Sequence, residues 1–281
     1  MAGPILKTLA TVVLLVCAWV VPTFAQVRNL TEDFRMHAAF HSKFLPKGRD
    51  VLVWLPPSYK SETRRRYPVL YMHDGMSAFV NWRLDETALA LISNKQLDDL
   101  LIVFVDNGGT AEARFDDYTP SHDAAFAKSG NADKYGRMLV EELKPFIDSE
   151  YRTLTDAGNT GLGGASLGGL VTIYLGFKYP KTFGLLAVMS PSVWWDNGMI
   201  LREVKGLASK PSLRIWLDIG TAEGGSVRQT RLLRDALKAK GWVLDSDLNY
   251  LEAKDATHDD QAFARRASHF LKFLFPKHQQ K

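Results

Sequence analysis

The sequence predicts an α/β fold, a single domain whose mostly parallel central sheet is flanked by helices. Three observations predict it. Apolar runs alternate with amphipathic helical patterns to the end of the chain, as in a sheet built from βα units. Hydrophobic residues make up 46% of 281 residues, which suits one large α/β domain as well as two small ones, and one is favoured. The run Gly164-Ala165-Ser166-Leu167-Gly168 separates an apolar run (Thr160 to Leu162) from a helix-like run (Leu170 to Tyr179), which sets a serine at the apex of a sharp strand-to-helix turn.

The first 25 residues read as an export signal. Lys7 gives the positive start, Leu9 to Val21 the apolar middle, and Thr23-Phe24-Ala25 a small-x-small cleavage site, so that the mature chain starts at Gln26. About 13 apolar residues fall short of the roughly 20 that span a bilayer, so no stable membrane insertion is expected once the signal is removed. Cys17 is the only cysteine and lies inside this segment. The exported domain, residues 26–281, therefore has no disulfide, cysteine nucleophile or thiolate metal site. Losing Lys7 lowers the net charge by one from +4. Basic residues are scattered except for Arg64-Arg65-Arg66 in an expected surface loop, and without interleaved aromatics no nucleic acid is expected as a partner.

Strands are expected at Arg49 to Leu55, closed by Pro56-Pro57, and at Val69 to His73, followed by the Asp74-Gly75 turn. Leu100 to Val105 is almost continuously aliphatic, as a strand buried on both faces should be. Phe183 to Met189, Leu213 to Ile219 and Ser246 to Leu251 complete the sheet. Tyr135, Met138, Leu139, Leu143, Phe146 and Ile147 recur at three- and four-residue steps and form one stripe on a helix ending before Tyr151. Val227 to Lys240 is a second helix, with Leu232, Leu233, Ala236 and Leu237 inward and Gly241 as its stop. Phe263, Ala267, Phe270, Leu271 and Leu274 mark the last, ended by Pro276. Asn107 to Asp133 has no clear period and is long for a connection, so it is expected to line a site. Ser190 to Lys210 is too short for a large lid domain, and an open cleft is expected.

The turn at Ser166 is what an α/β-hydrolase nucleophile needs, because only small neighbours at 164 and 168 let strand and helix approach closely enough to hold the serine in a strained conformation. A serine hydroxyl must hand its proton to a base as it attacks. Chain order in such a fold places that base after the last strand, among His258, His269 and His278. His269 lies within the terminal helix pattern and His278 in a polar tail, which leaves His258 in the loop Ala256-Thr257-His258-Asp259. The acid that holds the imidazole should lie just beyond the strand Leu213 to Ile219. Glu223 does, in a glycine-rich loop; Asp218 is the rival but falls inside the strand. Two backbone N–H donors must await the oxyanion, one from Leu167 and the other from Met76 or Gly75 after the second strand. His73 and Asp74 read as a structural turn with its own side-chain hydrogen bonds. Trp82, Trp194, Trp195, Tyr118 and Phe115 are placed to wall the cleft, and Arg114 to pair with an anionic group or in a surface salt bridge. No HExxH or paired His/Cys spacing suggests a metal, and Gly161-x-Gly163-x-x-Ser166 lacks the Lys-[Ser/Thr] of a phosphate loop, so neither metal nor cofactor is expected.

The chain resembles the putative-esterase family of α/β-hydrolases, which spans enterochelin-type siderophore esterases, feruloyl and acetylxylan esterases, S-formylglutathione hydrolases and mycolyltransferases. The resemblance rests on Tyr67 to Gly75, Tyr118-Thr119-Pro120, Glu142 to Ile147, Gly164 to Leu170 and Ser190 to Trp195. Gly220-x-x-Glu223 and Thr257-His258-Asp259 resemble the family's acid and base segments. It implies a serine ester hydrolase with Ser166, Glu223 and His258 in the roles above, acting on a siderophore lactone or on a feruloyl or acetyl ester of a saccharide. Acyl transfer with the same triad and an inactive binding protein are the alternatives. One residue departs from the pattern: where the family commonly has glutamine after Asp-Gly, this chain has Met76. A backbone donor survives that change and a side-chain contact does not.

Overall fold

A computed structural model describes residues 28–126 and 128–277. The expected export signal, Cys17 and His278 lie outside the described residues. Among the described residues eight strands run in chain order as β1 (Phe34–Phe40), β2 (Arg49–Trp54), β3 (Val69–Met72), β4 (Leu101–Val105), β5 (Thr160–Ala165), β6 (Leu185–Met189), β7 (Arg214–Gly220) and β8 (Leu248–Ala253). They form one sheet in the spatial order β1-β2-β4-β3-β5-β6-β7-β8. The β1–β2 and β2–β4 pairs are antiparallel, and all the others are parallel.

Period-two alternation on fully buried strands divides the core into two layers. On β3, Val69 and Tyr71 face one layer while Leu70 and Met72 face the other; on β4, Val103 and Phe104 split in the same way. Among the described residues the α-helices in chain order are α1 (Ser58–Ser61), α2 (Gly75–Val80), α3 (Leu84–Ser93), α4 (Ala111–Tyr118), α5 (Ala132–Arg137), α6 (Lys144–Glu150), α7 (Leu167–Lys178), α8 (Trp195–Gly206), α9 (Gly225–Ala239) and α10 (Asp260–Leu274). Helices α5 to α9 cover the first layer, and α2, α3 and α10 cover the second. The result is a helix–sheet–helix sandwich, and each parallel strand delivers its next loop to the same carboxyl edge.

The expected strands are all present, with ends shifted by one to three residues. The stripe from Tyr135 to Ile147 lies on one continuous helical run, in which a π-helical segment (Met138–Leu143) joins α5 to α6. Leu233 and Leu237 of α9 face inward as expected, but Leu232 is exposed. Gly241 ends that helix at φ 107°. The connection after β4 is not structureless: α4 forms there because Thr110 caps it, accepting a hydrogen bond from the Ala113 N–H at 3.1 Å. With few apolar residues, α4 carries no stripe for a periodicity reading to find. No large lid follows β6, where α8, kinked at Asp196 to Gly198, packs on the core through Ile200 and Val204.

Candidate active site

At the carboxyl end of β5 the chain turns sharply into α7, and Ser166 takes φ 61° and ψ −122°. A side chain at that φ is strained, and the surroundings hold it there. The Ser166 N–H donates to the Met189 carbonyl at 3.1 Å, while its own carbonyl accepts from Leu170 (3.0 Å) and Ser192 (3.0 Å). Strand and helix touch so closely that a Cβ at Gly164 would lie 2.9 Å from the backbone of Gly168. Leu167 opens α7, so its N–H has no partner within the helix.

The neighbouring strand β3 leads into α2 in a similar way. Asp74 takes a left-handed conformation (φ 52°), and Gly75 and Met76 present their N–H groups in the first turn of the helix. A Cβ at Gly75 would meet the backbone of Phe104 and Val105 at 2.6 Å, so only glycine fits. The Asp74 carboxylate accepts two hydrogen bonds from Arg114 (2.7 and 2.8 Å) and one from Asn107 (2.7 Å), and its N–H donates to the Tyr118 hydroxyl at 2.9 Å. Beneath it His73 is fully buried, 2.8 Å from the Tyr135 hydroxyl, and burial pulls its pKa down to about 4.

Glu223 and His258 come from adjacent strands, β7 and β8. Their loops are tied together by backbone bonds from Thr221 to Ala253 (2.9 Å) and from Ala222 to Ala256 (3.1 Å). A Cβ at Gly220 would lie 2.2 Å from the Ala256 carbonyl oxygen, so glycine is required for the loops to meet. The Glu223 carboxylate, 1% exposed, accepts from His258 Nδ1 through Oε2 at 2.6 Å. Its Oε1 accepts from the Ser190 hydroxyl (2.6 Å) and the Gly220 N–H (2.8 Å). Burial alone would raise the Glu223 pKa; these hydrogen bonds outweigh it, and the net direction is down. The rival Asp218 is wholly buried inside β7, where its carboxylate accepts from Trp216 Nε1 (2.7 Å) and from the Ser190 N–H (3.3 Å); among the described residues it makes no hydrogen bond to the imidazole. Burial, partly offset by Arg266, lifts its pKa to about 6.

Ser166 lies at the junction of two cavities. One, of about 280 Å³, is lined by Ser166, Ser192, Trp194, Glu223 and His258. The other, of about 520 Å³, extends over Met76, Trp82, Asp106, Arg114 and Asp260. Within the described residues the Ser166 hydroxyl bonds to Ser192 Oγ at 3.4 Å, not to the half-exposed His258 ring that shares its cavity. Of the aromatic residues expected to wall the cleft, Trp82 and Trp194 line it. Tyr118 and Trp195 do not: both are fully buried, with Trp195 packed against Phe126 (4.9 Å between centroids) and Phe115 (6.0 Å). Arg114 lines the larger cavity, but its guanidinium is held by Asp74.

Reading the sequence missed Asp260, Ser190 and Arg266. Asp260 accepts from Ser77 (2.7 Å), Asn81 (2.7 Å) and Trp82 Nε1 (2.8 Å), and so ties α10, which follows the His258 loop, to α2 and Trp82. Its place two residues after His258 was the one available signal. Among the described residues no group of three or more His, Cys, Asp or Glu is arranged to hold a metal, and no helix is long and apolar enough to cross a membrane.

The family described as Putative esterase matches residues 42–273, and the chain belongs to it. That membership makes the protein a carboxylic-ester hydrolase. Over 245 residues it is 28% identical to the uncharacterized protein YbbA of Bacillus subtilis (strain 168), covering 82% of this chain and 94% of that one. It is 33% identical over 108 residues to a siderophore enterobactin esterase of Emericella nidulans, covering 36% of this chain and 35% of the other. The BES protein from Bacillus cereus shares the fold, with a TM-score of 0.72 at 24% identity over 90% of this chain and 99% of that one.

Proposed function

We propose that this member of the Putative esterase family cleaves its ester through an acyl-enzyme on Ser166, with His258 as base and Glu223 as the acid that orients it. The observation that carries the reading is the hydrogen bond between Glu223 and His258 Nδ1 in a cavity that also holds Ser166. With Nδ1–H on the carboxylate, Nε2 is left as the proton acceptor. Ser166 Oγ attacks the acyl carbon while its proton passes to Nε2. The carbonyl oxygen becomes an oxyanion and accepts from the N–H groups of Leu167 and of Met76 or Gly75. His258 then gives the proton to the departing alcohol, and water repeats the sequence on the acyl-enzyme to release the acid. Substrate entry brings the serine and imidazole into hydrogen-bonding contact, since such bonds often tighten only in the complex. The half-exposed His258 ring admits water, which supports hydrolysis over acyl transfer.

Relatives named siderophore and feruloyl esterases support a siderophore lactone, or a feruloyl or acetyl ester of a saccharide, as the substrate class, and the larger cavity beside Ser166 offers it room. We read residues 1–25 as an export signal; N-terminal sequencing of the exported chain should begin at Gln26. The deciding experiment compares wild type with Ser166→Ala on a short-chain p-nitrophenyl ester. Wild type should release a burst of nitrophenol and the variant none. Equal rates would end the proposal.

A further inference from the structure

We infer that Arg266 and Ser190 are positioning residues for the general base: Arg266 fixes the direction of the Ser190 hydroxyl, and that hydroxyl holds Glu223 on His258. The inference rests on the triad proposed above. Ser190 follows β6 with φ 37°, a conformation that a non-glycine residue keeps only where its surroundings over-determine it. Its N–H is anchored on the Asp218 carbonyl at 3.0 Å, which leaves the side chain facing two neighbours. Arg266 Nη2 lies 2.9 Å from Ser190 Oγ, and Glu223 Oε1 lies 2.6 Å from it.

A hydroxyl has one proton and two lone pairs, whereas a guanidinium can only donate. Arg266 must therefore occupy a lone pair of Ser190, and the single hydroxyl proton is directed to Glu223. That proton and the Gly220 N–H fix Oε1, and with Oε1 fixed, Oε2 faces His258 Nδ1. Besides its bond to Ser190, Arg266 Nη2 lies 3.8 Å from Glu223 Oε1, so its charge acts on the same carboxylate oxygen. Arg266 is 3% exposed, and neither Nε nor Nη1 makes a hydrogen bond within the described residues. Its Nε lies 3.2 Å from Asp218 Oδ1, an ion pair that offsets the cost of burying the cation. For stability alone, a well-packed apolar side chain would often serve as well in such a place. Asp218 thus acts through its neighbours: its Oδ1 accepts from the Ser190 N–H at 3.3 Å, and its charge keeps Arg266 buried and charged.

The test is a double-mutant cycle on a p-nitrophenyl ester, with Ser166→Ala as the zero. Ser190→Ala and Arg266→Met should each lower kcat about tenfold, the weight of one charge-assisted hydrogen bond, with KM changed less than about twofold. The double variant should lose less than the product of the two single losses, because both substitutions act on the same Glu223 oxygen. Arg266→Lys, which keeps a donor and its charge, should recover most of kcat. Losses that multiply in the double variant, a change in KM in place of kcat, or full kcat in Ser190→Ala would overturn the inference. Should Arg266→Met fail to fold with Asp218 left unpaired, Asp218→Asn/Arg266→Met takes its place in the cycle. A wild type no faster than Ser166→Ala defeats the esterase mechanism, and this inference with it; an active wild type with unaffected variants defeats the inference alone.

Discussion

Two carboxylates flank Ser166, each gripped by three side-chain or loop donors, and they do different work. Asp74, on the oxyanion side, takes its three hydrogen bonds from Arg114 and Asn107, groups that keep their protons at any working pH. It can only fix the shape of the turn that presents the N–H groups of Gly75 and Met76. Glu223, on the base side, takes two fixed donors on Oε1 and one titratable ring on Oε2. In the mechanism proposed above, two fixed donors on one oxygen and a ring on the other make a device that steers a proton. The same chemical group becomes scaffold or machinery according to whether one of its partners can titrate.

Glu223→Gln breaks the comparison most severely. Oε1 faces two donors, so the amide must put its oxygen there and turn its NH₂ toward His258. Nδ1 then has to accept, the ring proton moves to Nε2, and the imidazole holds the wrong tautomer to take a proton from Ser166. Steady-state kinetics should show kcat reduced by about 10³ to 10⁴, with KM and the melting temperature little changed. A loss below about tenfold would mean that Glu223 does not orient the base.

How far these roles are legible in sequence follows from how local each one is. Ser166, Leu167 and Gly164 are read from five consecutive residues, because the strained turn needs its small neighbours beside it in the chain. Strands such as Leu101–Val105 are read as easily, since burial on both faces leaves a continuous aliphatic run. Glu223 and His258 take one step more, from chain order and loop position. Arg266 was not legible. It lies inside an amphipathic helix where an arginine is ordinarily solvated, and its partners come from within β7 (Asp218) and just after β6 (Ser190), 48 and 76 residues away. Tyr118 and Trp195 were misplaced for a related reason: an aromatic near a cleft in sequence carries no mark of whether its ring turns outward or packs on Phe115 and Phe126, as Trp195 does.

The two sides of the serine should also respond oppositely to acid. His73 has a folded pKa of about 4 against an ordinary 6.5, because burial penalises the imidazolium. Its contribution to stability is present above pH 6.5 and lost as pH falls towards 4, an effect of roughly 3 kcal/mol. Asp218, with a folded pKa of about 6 against 3.8, has the opposite sign: its contribution is present below 3.8 and lost as pH rises through 6. Denaturant unfolding at pH 4.5 and 7 should show the acid-induced loss shrinking in His73→Asn, which keeps a polar atom near Tyr135, and growing in Asp218→Asn. If both variants moved the pH dependence in the same direction, the two sides would not differ as the structure implies.

The mildest break is Asp74→Asn, and its signature should be the reverse of that of Glu223→Gln. Asp74 Oδ2 lies against Arg114 Nη2 at 2.8 Å, and a Cβ on Gly168 would sit 3.2 Å from it, so the site is tight as well as charged. An amide there either turns an NH₂ toward the guanidinium or gives up Asn107, and in both cases Arg114, about three-quarters buried, loses its counter-charge. The turn loosens and the Gly75 and Met76 N–H groups, the proposed oxyanion donors, drift. We expect kcat to fall about tenfold together with a lowered melting temperature. Adding Arg114→Gln should restore part of both, because it removes the unpaired cation and offers the new amide a neutral partner. No second substitution of this kind should rescue Glu223→Gln, whose defect is the tautomer of a ring and not a stranded charge. If Arg114→Gln restored no kcat to Asp74→Asn, the defect there would not be a stranded charge, and the two carboxylates would not differ as argued.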